Sequence, residues 1–144
     1  MDIKSWAVGY IDGEGSLAMS SRKSGSGRTY HFPRLIIQVR ADDEGAIQKV
    51  IQAIGIQPFL THRIASTRTW NTKPTIQVVW HSKEQLAQVI NFFSHYPLQS
   101  KKAEEYELWK QTVDLYLYDN NYQQREEKIA ELYKRLRELR VYKE

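Results

Sequence analysis

The segment Trp6–Leu17, which reads WAVGYIDGEGSL, decides how the rest of this 144-residue chain is interpreted. Its apolar part predicts a short helix over residues 3–12, and the acid-glycine-acid-glycine turn that follows leads directly into a strand. Acidic side chains at the negatively polarised end of a helix are unfavourable, each by roughly 0.3–1 kcal/mol. The carboxylates of Asp12 and Glu14 therefore indicate a nearby cation, and a divalent metal ion is the natural candidate.

Residues Ala7–Gly15 resemble the nine-residue signature of the LAGLIDADG homing endonucleases, in its variant that ends Asp-Gly-Glu-Gly. The resemblance implies that the final acid, Glu14, is catalytic and binds the metal, that the carbonyl of Gly13 is a second metal ligand, and that Asp12 is structural. It also implies Mg²⁺ as the cofactor, with Mn²⁺ as a substitute, in the hydrolysis of phosphodiester bonds of double-stranded DNA. The alternative is an ordinary apolar helix that ends at a glycine.

Only one copy of the signature is present, and single-motif chains of this family resemble half of a two-fold assembly. The resemblance therefore implies a homodimer with the signature helix at its interface. Gly9 and Gly13 lie four residues apart on one helical face, where they let a second helix approach closely. We predict that Trp6 and Tyr10 belong to the same interface, because the helix is apolar nearly all round. A monomer that packs this helix internally is the alternative.

The composition is that of one domain with enough residues to bury a core, 17.0 kDa over residues 1–144. The resemblance covers about residues 3–118, and a helical extension follows at about 122–142. The absence of cysteine excludes disulfides and thiolate metal sites. No apolar run approaches the ~20 residues of a membrane span and no secretory signal opens the chain, so we expect an intracellular location, in the cytoplasm or an organelle matrix.

Positive charge is concentrated in two segments of the chain. Residues 16–41 and 59–82 together contain eight lysines and arginines and no acid, whereas the net charge of the whole chain is +4. A positive field confined to two candidate hairpins indicates that a polyanion docks there. A solvated basic surface is the alternative that charge alone leaves open.

The periodicity of the chain predicts the element order α-β-β-α-β-β-α, followed by further helix. The strands are predicted over residues 16–23, 34–40, 59–67 and 75–82. This order agrees with the fold that the resemblance implies, an α+β fold with a four-stranded, antiparallel, saddle-shaped sheet backed by helices, plus C-terminal helices.

Local signals predict where the helices begin and how the last one packs. Asp42 or Asp43 is predicted to cap the second helix, and Ser82 with Gln85 to form the capping box of the third. The apolar stripe over residues 126–140 predicts a helix that packs on the domain rather than a coiled coil, because two heptads rarely suffice for the latter.

A sheet with helices on one face leaves the other face for a ligand. A two-stranded ribbon fits the major groove of DNA, where arginine recognises guanine, glutamine recognises adenine and serine accepts either. The residues predicted to contact DNA have this chemistry and lie where the resemblance implies DNA contacts: Ser20, Arg22, Arg28, Arg34, Gln38, Arg40, Arg63, Arg68 and Gln77. Within this set, Arg28 and Arg68 are predicted to reach the phosphate backbone.

The sequence SKKA at residues 100–103 is a second candidate catalytic element. The resemblance implies a lysine here that stabilises charge at the scissile phosphate, with Lys101 as the first choice and Lys102 as the alternative. Two solvated lysines in the first turn of a helix are the simpler interpretation. Some family members also carry a glutamine and then an arginine after the second strand, but residues 41–45 read ADDEG and contain neither.

Three functions are consistent with these patterns. The leading one is an intron-encoded or intergenic homing endonuclease that makes a double-strand break in a long, near-palindromic target. An RNA-splicing maturase, with intron RNA as its partner, and a non-cleaving DNA-binding regulator use the same scaffold. Glu14 argues against the regulator, because a pure binder gains nothing from an acid beside phosphate.

Overall fold

The computed structural model describes residues 2–63 and 73–141, and its elements follow the predicted order. The helices are α1 (Ile3–Glu14), α2 (Glu44–Ile54), α3 (Lys83–His95), α4 (Lys102–Tyr118) and α5 (Tyr122–Arg140). The strands are β1 (Gly15–Lys23), β2 (Thr29–Arg40), β3 (Phe59–Arg63) and β4 (Thr75–Trp80). The predicted α+β fold is therefore confirmed. None of the described helices is long and apolar enough to cross a membrane.

The four strands form one antiparallel sheet in the order β1-β2-β4-β3. β2 begins at Thr29, five residues before the predicted start, and β1 pairs with it over its whole length. The sequence did not predict this start because the segment contains Pro33, and proline is unusual inside a strand. Proline is tolerated here because β4 pairs with β2 only from Leu35 onward. At Pro33, no described strand pairs with the side of β2 that faces β4.

The ends of β3 and β4 also differ from the predicted ranges. β4 ends at Trp80 because the backbone N–H groups of His81 and Ser82 both donate to the side chain of Gln85, at 2.9 Å each, and turn the chain into α3. β3 is described as far as Arg63, and residues 64–67 of the predicted strand lie outside the described residues.

One face of the sheet packs against the helices and forms the core. Its buried residues alternate along the strands: Leu17, Leu35, Ile37, Ile76, Val78 and Trp80. The predicted inward faces of β2 and β4 are thereby confirmed, with Val39 half-buried at the end of its row. Trp80 and Trp109 bury their rings fully and donate their indole N–H groups to backbone carbonyls of Ile56 and Ala18, at 3.0 and 3.2 Å.

Helix α1 continues to Glu14 instead of ending at residue 12, so both acids lie in its last turn rather than in a turn after it. Gly15 follows in extended conformation and donates its N–H to the carbonyl of Ile11. A Cβ on Gly15 would lie 2.8 Å from both the carbonyl oxygen and Cγ2 of Ile11. Glycine is therefore required at the point where the helix passes into β1.

The capping predictions had different outcomes. The box at α3 is confirmed, because the Ser82 hydroxyl accepts from the N–H of Gln85 at 3.1 Å and the Gln85 side chain accepts from Ser82. Asp43 is the N-cap residue of α2, one of the two residues predicted, but its side chain forms no capping hydrogen bond. A 3₁₀ turn precedes the helix, and the Asp43 carboxylate instead accepts a hydrogen bond from the hydroxyl of Tyr10 at 3.1 Å.

The C-terminal helix α5 packs against α4 and β2. Its buried residues are Ile129, Leu132 and Leu136. The prediction of a helix that packs on the domain is confirmed. The first turn of α5 also holds the start of β2, since the Tyr122 hydroxyl donates to the carbonyl of Thr29 at 2.7 Å and the Arg28 guanidinium lies 4.7 Å from the centre of the Tyr122 ring.

Candidate metal centre and nucleic-acid interface

The last turn of α1 presents the carboxylate of Glu14 at one end of the sheet. Helix α1 passes into β1 without a loop, so Glu14 directly precedes Gly15, which pairs with Ile37 of the central strand β2. Glu14 is exposed and forms no salt bridge with another described residue. Its carboxylate therefore remains free to bind a ligand.

Asp12, in contrast, is held by the start of α4. Its carboxylate accepts the backbone N–H groups of Gln99 and Ser100, at 2.8 and 2.9 Å, and the Ser100 hydroxyl. Burial alone would raise the pKa of Asp12, but these hydrogen bonds and the charge of Lys102 outweigh it and hold the pKa below its usual value. Asp12 therefore fastens α1 to the turn before α4, in agreement with the structural role predicted for it.

The two candidate lysines lie in different surroundings. Lys102 is half-buried in the first turn of α4, and its charge acts on Asp12. Lys101 is exposed immediately before that helix and pairs with no acid among the described residues. The charge of Lys102 thus acts on an acid of the same chain, whereas that of Lys101 is available to a bound anion.

The oxygen ligands at the end of α1 suit a hard divalent cation. The described residues contain no group of three or more acidic or histidine side chains that could hold a metal ion. The Glu14 carboxylate and the Gly13 carbonyl can contribute two oxygens, whereas Mg²⁺ takes six and commonly draws the rest from water and substrate phosphate. The residues present therefore fit a metal ion that takes its remaining ligands from outside this chain, such as water and phosphate oxygens.

The residues predicted for a dimer interface divide into two groups. Gly9 and Gly13 are exposed, and a Cβ placed on either meets no described heavy atom within 4 Å outside its own helical backbone. We call this surface the glycine face of α1. Trp6 and Tyr10 are half-buried beside it and stack on each other, with ring centres 5.2 Å apart. Tyr10 also bonds to Asp43, so these two rings belong at least partly to the packing of α1 on its own domain.

The face of the sheet that is turned away from the core carries most of the predicted DNA contacts. We call it the open face; it comprises the even-numbered residues of β1 and β2 and the odd-numbered residues of β3 and β4. The predicted residues that share it are Ser20, Arg22, Arg34, Gln38, Arg40, Arg63 and Gln77. None of the strand residues on this face is acidic. Arg28 lies in the loop before β2, and Arg68 lies outside the described residues.

Side chains on the open face meet across the strands. Gln38 donates to the Thr75 hydroxyl and Arg63 to the Gln77 carbonyl oxygen, both at 3.4 Å. The Nε atom of Arg34 is buried and has no hydrogen-bond partner among the described residues. The two cross-strand hydrogen bonds are long, so Gln38 and Arg63 keep further donors for a ligand, whereas Arg40 pairs with Asp42 at 3.1 Å.

The comparison with protein families settles what kind of chain this is. The profile of the LAGLIDADG endonuclease family matches residues 7–113, which include the signature helix, all four strands and most of α4. The chain belongs to the LAGLIDADG endonuclease family. The resemblance noted from residues 7–15 is thereby confirmed. A comparison with curated proteins finds no match.

Solved structures of LAGLIDADG proteins share the fold. I-TnaI, a homing endonuclease, superposes with a TM-score of 0.75 at 17% identity over 94% of each chain. I-SmaMI bound to an uncleaved DNA target in the presence of calcium ions gives 0.73 at 24% identity over 92% of this chain and 43% of its own. I-CpaMI bound to uncleaved DNA gives 0.71 at 18% identity over 100% of this chain and 52% of its own. The chain thus spans nearly all of I-TnaI but about half or less of the two DNA-bound proteins.

Sequence reasoning about this LAGLIDADG protein missed part of the open face. Phe59 and Thr61 share it with Arg63 on β3, and the ring of His81 extends it beyond β4. Phe32 on β2 joins them. Alternation along β4 predicts that His81 faces away from the core with Gln77, but no local signal indicates that its ring meets Phe59 and Phe32.

Proposed function

We propose that this chain is a metal-dependent DNA endonuclease that acts as a homodimer and makes a double-strand break in a long, near-palindromic target. The observation that carries the proposal is the position of one uncommitted carboxylate, Glu14. It ends a helix whose glycine face is open and lies beside a sheet face with arginines and no acid. Glu14 would therefore lie where DNA bound to the sheet and a second protomer packed on the glycine face come together.

The open face supports binding of duplex DNA. Arginine and glutamine side chains on β1, β2 and β4 have the donors that recognise guanine and adenine edges in the major groove. Arg28 projects at the hairpin tip, where it is exposed and suited to a phosphate contact. DNA-bound structures of I-SmaMI and I-CpaMI, which share this fold, give the proposal further support.

The end of α1 supports phosphodiester hydrolysis. Glu14 and the Gly13 carbonyl would hold Mg²⁺, which when bound lowers the pKa of water and stabilises the leaving oxygen. Lys101 places a positive charge near negative charge that develops on the phosphate, a contribution that preorganised donors commonly make. Asp12 holds the start of α4 against α1 through its hydrogen bonds with Gln99 and Ser100, and so would limit the movement of Lys101 relative to Glu14.

The glycine face supports the homodimer. Among the described residues, each protomer has one free carboxylate at the end of α1, that of Glu14, and paired cleavage of both strands would use a second copy of it. Packing two copies of α1 through Gly9 and Gly13 would bring two Glu14 carboxylates together and would complete a shared metal site. A two-fold arrangement of identical sheets also predicts a target with two similar half-sites.

A selection from a randomised duplex library tests the proposal. Wild-type protein and Glu14→Gln are each incubated with the library in Mg²⁺ or in Ca²⁺, and the bound and cut fractions are sequenced. Glu107→Gln is the matched control, because Glu107 is an exposed glutamate on α4, away from the end of α1. We expect cut ends around a two-fold site with the wild type and Glu107→Gln in Mg²⁺, and binding without cleavage with Glu14→Gln.

Other outcomes identify the alternatives. Cleavage that persists in Glu14→Gln would overturn the catalytic assignment. Bound but uncut DNA under every condition would favour the regulator. If no duplex is enriched while a structured intron RNA binds without metal, the chain is a maturase.

A further inference from the structure

An aromatic cluster interrupts the polar surface of the open face. The imidazole of His81 stacks on Phe59, with ring centres 4.6 Å apart and planes 18° apart, and lies 6.0 Å from the ring of Phe32 on its other side. Phe59 remains 55% exposed. We call Phe32, Phe59 and His81 the aromatic cluster. It lies on the face of the sheet opposite the core, so burial within the domain does not account for it.

Apolar side chains of β2 and β4 extend the cluster across the sheet. Ile36 pairs with Val79, and Val79 pairs with Phe59, so the three form one continuous row on the open face. Glu14 lies at one end of the sheet. The next row in that direction is polar and contains Gln38, Gln77 and Thr61. On the other side of the apolar row lie Arg34 and, farther along β1, Arg22. Phe32 lies between Arg34 and Arg22 along the sheet. A ligand on this face therefore meets the apolar row next to the glutamine row, and then aromatic rings that alternate with the arginines.

The spacing of these rows suits a DNA duplex. Residues two apart on a strand are about 6.6–6.8 Å apart, which corresponds to roughly two base steps of 3.4 Å. A band between a glutamine row and the arginines therefore faces about two to three base pairs of a major groove read by the same strands. The apolar group that a major groove presents is the C5-methyl of thymine.

The charge of the cluster also fits this ligand. Burial lowers the pKa of His81, and the positive charges of Arg34 and Arg22 lower it further, so the imidazole is neutral near pH 7. A neutral ring between two phenyl rings offers an apolar surface, whereas an imidazolium would favour an anion. The arginines around the band supply the attraction to phosphates that an apolar contact lacks.

We propose that the aromatic cluster, with Ile36, contacts the C5-methyl groups of thymines in the major groove and makes thymine preferred at one to three positions of each half-site. The positions contacted by Ile36 and Phe59 lie between those read by the Gln38–Gln77 row and that read by Arg34, whereas the position contacted by Phe32 lies between those read by Arg34 and Arg22. The proposal rests on the proposed function, because it specifies how the same sheet discriminates among duplex targets. It also predicts a preference for DNA over RNA, since uracil lacks the methyl group.

Replacement of thymine by deoxyuridine tests the proposal directly. Each thymine of the selected target is replaced singly by deoxyuridine, and dissociation constants are measured in Ca²⁺ for the wild type and Phe59→Ala. Burial of one methyl group corresponds to an affinity change of about three- to fivefold. We expect a loss of that size for the wild type at one to three clustered positions per half-site. Phe59→Ala should bind more weakly and should no longer distinguish thymine from deoxyuridine there.

Leu60→Ala is the matched control. Leu60 neighbours Phe59 on β3 and is also exposed, but it pairs with the buried Val78 and so belongs to the opposite face. This variant should keep the wild-type response to deoxyuridine. The proposal is overturned if deoxyuridine is tolerated at every position, or if Phe59→Ala responds as the wild type does. Failure to bind any duplex would overturn the proposed function as well, whereas cleavage without a methyl effect would overturn only this proposal.

Discussion

The carboxylate of Asp12 accepts the backbone N–H of Ser100 at 2.9 Å and so joins the end of α1 to the start of α4. The two acids of the signature therefore have different surroundings. Asp12 is occupied by the fold, whereas Glu14, two residues later, is exposed. Because the helix turns by about 200° over two residues, neighbouring acids of one motif can face different partners.

Asp12→Asn should lower the free energy of unfolding by about 1–3 kcal/mol, because a charged acceptor of several hydrogen bonds becomes a neutral one. The pKa of Asp12 in the folded state lies below its ordinary value of 3.8. The contribution of the Asp12 carboxylate to the free energy of unfolding is therefore complete above pH 3.8, and it is lost as the pH falls through the lower pKa of the folded state. Chemical denaturation of the wild type and Asp12→Asn between pH 7 and 3 measures this contribution. A difference in unfolding free energy between them that does not shrink in acid would contradict the stabilising role of the Asp12 carboxylate.

Gly9→Leu should disrupt association without unfolding the chain. The added side chain meets open space within the protomer, and leucine is about 0.5–1 kcal/mol better than glycine in a helix. Gly45→Leu is the control, because Gly45 is an exposed helical glycine in α2 whose Cβ also meets nothing. Sedimentation equilibrium should show weaker dimerisation, by about tenfold or more, for Gly9→Leu only. Equal dimerisation by both variants would place the interface elsewhere.

Lys101→Ala and Lys102→Ala should have distinct effects. Removing the exposed Lys101 should reduce cleavage by roughly 10²-fold and leave the free energy of unfolding unchanged. Removing Lys102 should raise the pKa of Asp12, because its positive charge helps to lower that pKa. Single-turnover cleavage rates and an NMR titration of Asp12 separate the two effects. Full cleavage by Lys101→Ala would transfer the catalytic role to Lys102.

Tyr122→Phe should loosen the start of the β1–β2 hairpin. The hydroxyl of Tyr122 donates to the Thr29 carbonyl at 2.7 Å, and a hydrogen bond of this kind contributes about 0.5–1.5 kcal/mol. Amide exchange near residues 29–31 should therefore accelerate by roughly two- to tenfold. Tyr133→Phe is the control, because Tyr133 lies about three turns after Tyr122 on the same helix. Similar exchange in both variants would show that α5 does not hold the hairpin through this bond.

His81→Phe should remove an acid-sensitive component of stability. Burial, Arg34 and Arg22 lower the pKa of His81 from its ordinary value of 6.5. The unfolded chain therefore binds a proton before the folded one does, and stability falls as the pH drops below 6.5 toward the folded pKa. The phenyl ring has no such proton and can still stack on Phe59 beside the tilted ring of Phe32. Identical pH profiles of unfolding between pH 7.5 and 5 would refute the direction of this shift.

Local sequence patterns predicted the order of the elements because periodicity reflects which face of each element is buried. The inward faces of β2 and β4, the capping box at Ser82 and the packing of α5 were all recoverable in this way. The start of β2 was not, because Pro33 is tolerated only where β4 leaves the neighbouring edge unpaired. The side-chain cap of α2 failed for a similar reason, since Tyr10 recruits the Asp43 carboxylate from a distant part of the chain.

The sequence by itself determined the family, through the signature at residues 7–15, and the positions of the basic strand residues, through their alternation. Only the tertiary structure decided which acid of the signature is free, which lysine lies close enough to Asp12 for its charge to lower the pKa of that acid, and that Phe32, Phe59 and His81 meet. The physical reason is the range of the interactions. Alternation and helical spacing are set by neighbours along the chain, whereas hydrogen bonds, charge effects and ring stacking join residues that are far apart in sequence, such as Arg140 and Leu17, 123 positions apart.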